Sequence, residues 1–220
     1  MTPRFRALVF DLDGTLIDSA SGILESCRAA FQALGIAPCI APSPSLIGPP
    51  LKDILIQMLG HHDPDLLTAL SSAFKAHYDA VGYRSSSAYE GIEDLLNALA
   101  ERKVPLYIAT NKRALPTRLI LQMLHWTNRF QGIYSLDSFA PALPNKGALL
   151  QQLLQQEQLG VLDTAYVGDR DEDALAAQQA ELPFAKATWG YGGPTCSLPA
   201  SSTKAEIALF WRNLSAHLPS

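Results

Sequence analysis

The sequence predicts an α/β protein: a doubly wound, Rossmann-like parallel sheet with an all-helical segment inserted after its first strand. Three observations predict it. Apolar runs alternate with helical stretches from residue 92 onward, and this alternation requires parallel strands joined by crossover helices. The apolar run at 5–10 is separated from them by a stretch that is helical in pattern. With 220 residues, 48% of them hydrophobic, the chain can bury one large core and a smaller appendage.

The first element is FRALVF at 5–10, a short apolar run typical of a strand covered on both faces. Asp18 or Ser19 can then cap a helix whose apolar residues recur at three- and four-residue spacing as far as Gly35. Further helical stretches follow near Leu51–Leu59 and Asp65–Val81.

The elements beyond this region alternate regularly. We predict helices at 92–103, 113–126, 145–158, 172–181 and 204–218, strands at 104–110, 132–136 and 164–169, and an extended segment at 183–189. The predicted core is therefore 1–17 with 85–220, the helical domain is 18–84, and RSSSAYEG is the returning linker. In such a fold, ligands bind outside the carboxyl ends of the strands.

Two carboxylates stand at the end of the first strand. Asp11 and Asp13 point to the same side because side chains alternate along an extended chain. At about 4 Å and an effective dielectric near 20 their repulsion is about 4 kcal/mol, so one is protonated or a cation lies between them. Mg²⁺ fits, since it takes carboxylate, carbonyl and phosphate oxygens. The alternative is a turn-capping aspartate before Gly14 with the other carboxylate solvated.

Two other strands also end in polar residues. Thr110 and the amide of Asn111 are suited to phosphate oxygens, although they also fit an ordinary helix cap. Asp169 follows a glycine, and acidic residues including Asp173 begin the next helix, where they also suit the helix dipole. Lys146 precedes another helix and is either a counter-charge to this cluster or a solvated lysine.

The order of these motifs resembles the haloacid dehalogenase superfamily, most closely its phosphoglycolate-phosphatase-like members with a helical cap domain. The resemblance rests on an apolar strand into DLDGT, a strand into Thr-Asn, a lysine before a helix and a strand into GDRDED, and it covers essentially the full chain. It implies an aspartyl-phosphate mechanism that requires Mg²⁺.

The resemblance also implies a role for each motif residue. Asp11 is the expected nucleophile and Asp13 the expected general acid and base; Thr110 and Asn111 hold phosphoryl oxygens, and Lys146 neutralises their charge. The implied metal ligands are the Asp11 side chain, the Asp13 carbonyl and Asp169, with Asp173 supporting them.

The chain also departs from the family pattern. Many relatives have prolines after the lysine, whereas this chain has PNKGALL around Lys146. Arg113 stands where a proline is frequent and either adds an anion contact or points to solvent. LIGPPLKDIL resembles the specificity loop of the cap, where Lys52 faces substrate or is an exposed lysine at a helix start. TWGYGG at 188–193 resembles a stretch found after the metal motif.

Composition limits the partners. The net charge is −4 and the basic residues are scattered, so we expect no nucleic acid partner. No run suits a signal peptide or a membrane span, so we expect a cytoplasmic protein without membrane association. Three distant cysteines argue against a disulfide framework and a zinc site.

The expected function is a Mg²⁺-dependent phosphatase acting on a small phosphorylated metabolite, with phosphoglycolate favoured and a monomer or homodimer as the assembly. A sugar phosphomutase or a pyrophosphatase of the same architecture remains open, because cap shape decides what reaches the intermediate. A non-catalytic phosphoacceptor such as a receiver-like switch is disfavoured, since receivers are about half as long and have no helical insertion.

Overall fold

The structure is a computed structural model that describes residues 5–192 and residue 212. Its strands are β1 (Ala7–Phe10), β2 (Ile17–Asp18), β3 (Ser87–Ala88), β4 (Leu106–Thr110), β5 (Gly132–Ser135), β6 (Thr164–Gly168) and β7 (Phe184–Lys186). Its α-helices are α1 (Ala20–Ala33), α2 (Leu51–Leu59), α3 (Pro64–Ala80), α4 (Ile92–Glu101), α5 (Ala114–Met123), α6 (Lys146–Glu157) and α7 (Asp171–Gln179). Short 3₁₀ turns cover Pro44–Leu46, Gly82–Ser85 and Leu136–Ser138.

Among the described residues, the main sheet has five strands in the order β5-β4-β1-β6-β7. All of its pairs are parallel, as the alternating pattern predicts. The chain passes from β1 to β4 and β5 on one side and then returns to β6 and β7 on the other. The strand order therefore reverses beside β1, which is where open α/β sheets bind ligands.

The core lies on both faces of this sheet. Along β1, Leu8 and Phe10 pack into one hydrophobic cluster with residues of α4 and α5. Ala7 and Val9 pack into a second cluster with leucines of α6. A strand buried on both faces needs an unbroken apolar run, which explains why FRALVF shows no alternation of polar residues near its end.

Helices α1, α2 and α3 form a third hydrophobic cluster of their own. Gly22 of α1 lies so close to Gly82 that a Cβ on Gly22 would collide with the Gly82 carbonyl oxygen. This helical segment is connected to the core through β2 and β3, which pair antiparallel with Ile17 opposite Ala88. The domain boundaries at 17/18 and 84/85 stay a prediction; this short ribbon lies beside both.

The sequence did not predict the two-residue strands or the 3₁₀ turns, because such short segments carry no measurable periodicity. The helix predicted at 113–126 ends at Met123 instead. His125 takes a left-handed conformation with φ of 59°, and the chain then turns Trp126 into the core, where it is fully buried. The closing helix predicted at 204–218 lies outside the described residues, apart from Arg212. Among the described residues, no helix has both the length and the hydrophobicity to cross a bilayer.

Candidate active site

Asp11 lies directly after β1 at the reversal of the strand order and is buried. Its Oδ2 accepts a hydrogen bond of 2.9 Å from Lys146 Nζ. Its Oδ1 is also shielded from solvent yet has no hydrogen-bond partner among the described residues. A buried carboxylate oxygen without a partner is costly, so this atom is the place in the site most in need of a ligand.

Lys146 connects two carboxylates from distant parts of the chain. Its Nζ lies 2.6 Å from Asp173 Oδ1 as well as contacting Asp11, and the side chain is only 8% exposed. Asn145 caps the helix by accepting a hydrogen bond from the Ala148 amide, which fixes Lys146 as the first residue of α6. The absence of the usual prolines after the lysine therefore does not displace it from the site.

Asp173 is held by further donors. Tyr166 donates its hydroxyl to Oδ1 over 3.1 Å, and the amide of Arg170 donates to Oδ2 over 3.0 Å. Burial acts to raise the pKa of Asp173, but the Lys146 ammonium and these hydrogen bonds outweigh it and the pKa falls below its usual value. Asp173 is thus a carboxylate that stays charged.

Asp11, Asp169 and Asp173 together form a buried acidic cluster, with one oxygen of each lying within 4.8 Å of the others. Burial raises the pKa of Asp11 to about 7, opposed by Lys146 and reinforced by the neighbouring carboxylates. Burial likewise raises the pKa of Asp169 to about 6, opposed mainly by the Gly192 amide. Three desolvated carboxylates held this close repel one another unless a proton or a cation lies between them.

Glycines make room for Asp169. Its Oδ2 accepts a hydrogen bond of 3.0 Å from the Gly192 amide. A Cβ on Gly14 or on Gly190 would collide with the Asp169 side chain. The TWGYGG stretch at 188–193 therefore packs against the acidic cluster through Gly190 and Gly192. Residue 193 lies outside the described residues. The all-oxygen cluster and the close glycine packing around Asp169 fit a small, hard divalent cation.

Asp13 is held apart from this cluster by different partners. Lys112 Nζ lies 2.9 Å from Asp13 Oδ1, and the Ser19 hydroxyl donates to the same oxygen. Burial acts to lower the pKa of Lys112, but the Asp13 carboxylate outweighs it and raises that pKa above its usual value. Lys112 was missed by the sequence reasoning; its place directly after the Thr-Asn motif was the only signal that could have found it.

Thr110 and Asn111 lie at the end of β4, beside Asp11 and Asp13 on the wall of one cavity. Thr110 Oγ1 accepts a hydrogen bond of 3.2 Å from the Lys112 amide, which leaves its own hydrogen available to a ligand. The Asn111 side chain donates to the Gly48 carbonyl over 3.3 Å. Asn111 therefore also ties the predicted specificity loop to the core.

The cavity between the helical segment and the core has a volume of about 270 Å³. Lys52, expected either to face substrate or to be exposed at a helix start, lines it together with Lys75 of α3, and both lysines are exposed. Arg113 also lines it, but its guanidinium makes hydrogen bonds of 3.1 and 2.5 Å to both carboxylate oxygens of Asp79. The sequence left two interpretations of Arg113, an anion contact or a side chain that points to solvent. Its ion pair with Asp79, between the core and the helical segment, matches neither.

A model of the haloacid dehalogenase-like hydrolases matches residues 8–187. The chain belongs to this family. It is 33% identical over 190 residues to a phosphoglycolate phosphatase from Xanthomonas campestris pv. campestris (strain 8004), and this match covers 84% of each chain. It is 30% identical over 190 residues to a 5′-nucleotidase from Pseudomonas aeruginosa, covering 86% of this chain and 85% of that one. A crystal structure of a predicted phosphatase from Clostridium acetobutylicum is 25% identical with a TM-score of 0.82, covering 97% of this chain and 99% of that one.

The family membership confirms the resemblance drawn from the motifs, and the chain is an enzyme of the hydrolase class. The match begins within β1 and ends after β7, so that it contains the acidic cluster, Asp13, Thr110, Asn111, Lys112 and Lys146, whereas Gly190 and Gly192 lie beyond its end. The individual roles of these residues remain predictions, to which the geometry now adds Lys112.

Proposed function

We propose that this protein is a Mg²⁺-dependent phosphatase that hydrolyses a small phosphorylated metabolite through an aspartyl-phosphate intermediate, with phosphoglycolate as the favoured substrate. The observation that carries the proposal is the unpartnered Oδ1 of Asp11, a buried residue that contacts Lys146 and lines the cavity. A carboxylate oxygen without a hydrogen bond keeps its electron pair for attack on phosphorus.

In the first step, Asp11 Oδ1 forms a bond to phosphorus while the bond to the leaving oxygen breaks. The electron pair of that bond goes to the leaving oxygen, and Asp13 gives it a proton. The Thr110 hydroxyl and the Asn111 amide would donate to the transferring phosphoryl oxygens, and Lys146 would offset their charge.

In the second step, Asp13 takes a proton from water as the water oxygen bonds to phosphorus. The bond between phosphorus and Asp11 then breaks, so that inorganic phosphate leaves and both aspartates return to their starting states. Splitting a very slow hydrolysis into two displacements is the general advantage of covalent catalysis.

Asp11, the Asp13 carbonyl and Asp169 would hold Mg²⁺, with Asp173 supporting them. The ion supplies positive charge that offsets the repulsion between the carboxylates and an incoming phosphate. Asp173 serves it indirectly, because it holds Lys146 against Asp11.

Lys52 and Lys75 support a substrate with a second anionic group. Both residues line the cavity, both are exposed, and neither forms an ion pair among the described residues. The carboxylate of phosphoglycolate would meet these lysines while its phosphoryl group lies at Asp11. Substituting either lysine by Met is expected to raise KM for phosphoglycolate while changing kcat little, because this contact does not change as the phosphoryl group transfers.

A nucleoside monophosphate is the second candidate. Apolar side chains, Ile23, Ile54 and Phe74, line the same cavity, and a base could pack against them. The 5′-nucleotidase relative is consistent with this substrate.

The decisive experiment measures phosphate release from phosphoglycolate, nucleoside monophosphates, sugar phosphates and pyrophosphate, with Mg²⁺ and then with excess chelator. Wild type is compared with Asp11→Asn and with Lys103→Met, a control at an exposed lysine before β4. We expect release that disappears with chelator and with Asp11→Asn but not in the control. Phosphate release that survives in Asp11→Asn would refute the mechanism, and exchange between sugar positions without release would indicate a phosphomutase.

A further inference from the structure

Among the described residues, only Oδ1 of the Asp13 carboxylate has hydrogen-bond partners. Lys112 Nζ and the Ser19 hydroxyl both donate to Oδ1, whereas Oδ2 has no partner among the described residues. The Asp13 side chain is 13% exposed and lines the cavity. An oxygen that already accepts from an ammonium and a hydroxyl is a poor site for a proton, so a proton on this carboxyl belongs on Oδ2.

Lys112 is in turn covered by the helical segment. Its Nζ lies 4.8 Å from the ring centroid of Tyr78 in α3, a distance at which the face of an aromatic ring attracts a cation. The lysine side chain is only 6% exposed, and Tyr78 is itself buried. One buried ammonium thus contacts the carboxylate of the core and an aromatic ring of the helical segment.

The sequence around Lys112 also fixes its direction. The Lys112 amide donates to Thr110 Oγ1, so the backbone turns directly after β4. The next residue, Arg113, is held by Asp79, which is the chain neighbour of Tyr78. Adjacent core residues therefore contact adjacent residues of α3, and the lysine has little freedom to point elsewhere.

We propose that Lys112 is a positioning residue that holds Asp13 by Oδ1 so that Oδ2 faces the leaving group, with Tyr78 keeping the ammonium in place. This inference rests on the proposed phosphatase function and assigns the proton transfer to one oxygen. In the first step the proton leaves Asp13 Oδ2 for the leaving oxygen as its bond to phosphorus breaks. In the second step the same oxygen receives a proton from water.

The leaving group distinguishes this role from a merely structural one. An alkyl phosphate needs a proton on its departing oxygen, whereas p-nitrophenolate departs without one. The quantity to compare is kcat/KM, because it covers the steps up to loss of the leaving group and omits hydrolysis of the intermediate. A residue that only stabilises the fold or binds phosphate would affect both esters equally.

The test compares Lys112→Met, Lys112→Arg and the control Lys103→Met on p-nitrophenyl phosphate and on the alkyl phosphate that wild type hydrolyses fastest. General acid catalysis supplies about 100-fold or more, so we expect Lys112→Met to lower kcat/KM about 100-fold for the alkyl ester and about tenfold or less for the aryl ester. Lys112→Arg keeps a charged donor and should recover part of the loss. Equal losses on both esters, or no loss, would overturn the proposal.

A crystal structure of Lys112→Met gives a second readout that does not depend on turnover. We expect the Asp13 carboxylate to rotate away from the position it holds in wild type, with Asp11 and Asp169 unmoved. An Asp13 carboxylate that keeps its wild-type orientation would contradict the proposal. If wild type hydrolysed no ester, the phosphatase function would fail on that result, and this structure would still decide the role of Lys112.

Discussion

Arg113 and Asp79 form a two-pronged ion pair that joins the loop after β4 to the end of α3, with N–O distances of 3.1 and 2.5 Å. Both side chains are about three-quarters buried, at 24% and 22% exposure. The pair lies beside the cavity, which Arg113 helps to line. It is therefore a polar contact between the helical segment and the core at the cavity, where it can help to keep the helical segment closed over a ligand.

We predict that Asp79→Asn and Arg113→Gln each raise KM about fivefold, because a partly exposed ion pair is worth about 1 kcal/mol. The double variant should match either single variant, since the two side chains act on each other. The measurement is a double-mutant cycle on steady-state KM. Losses that simply multiply would indicate that Arg113 binds the substrate directly, as one of its sequence-based interpretations holds.

Lys146 also has a stabilising role that activity alone does not report. Substituting it by Met leaves Asp11 and Asp173 buried without their shared counter-charge. We expect the free energy of unfolding to fall by about 3–5 kcal/mol, as for other broken buried ion pairs. Urea unfolding in the presence of chelator measures it.

The matched variant is Lys146→Met combined with Asp173→Asn. Removing one of the two buried, unpaired charges should restore part of the stability. Turnover should stay absent, because Asp11 Oδ2 still lacks the Lys146 ammonium. A Lys146→Met protein as stable as wild type would show that the ammonium is not needed to hold the acidic cluster.

The acidic cluster predicts how the metal-free protein responds to pH. The pKa values of Asp11 and Asp169 are raised by burial to about 7 and about 6, above their value in the unfolded chain. Between the unfolded and the folded pKa the native state binds more protons, so the free energy of unfolding falls as pH rises from about 4 to about 7. We expect urea unfolding of chelator-treated protein to follow this trend.

Added Mg²⁺ should reverse the trend, because an ion that binds only the folded state stabilises it and displaces the protons. Asp169→Asn serves as the comparison, since it removes one carboxylate and should flatten both the pH dependence and the response to Mg²⁺. Unchanged stability across this pH range in wild type would argue against a repulsive cluster.

Much of the fold could be predicted from the sequence, because its signals are local. The apolar run before Asp11, the run ending in Thr110 and the run before Asp169 each indicate a buried strand, and parallel strands bring their carboxyl ends to one edge. The helix at Leu51–Leu59 was predicted with the bounds it has, and Gly60 beyond it takes the left-handed conformation of a helix end. The helix expected to reach residue 126 was too long, because the burial of Trp126 overrides helical propensity there.

By itself, the sequence determined the order of elements and the residues that gather at the edge of the sheet. Only the tertiary structure decided that Lys146 bridges two carboxylates 135 and 27 residues away, and that Lys112 turns to Asp13 while Arg113 turns to Asp79. The reason is physical: periodicity encodes which face of an element is buried. The direction of a long charged side chain is set by partners that reach it only after the helices have packed on the sheet.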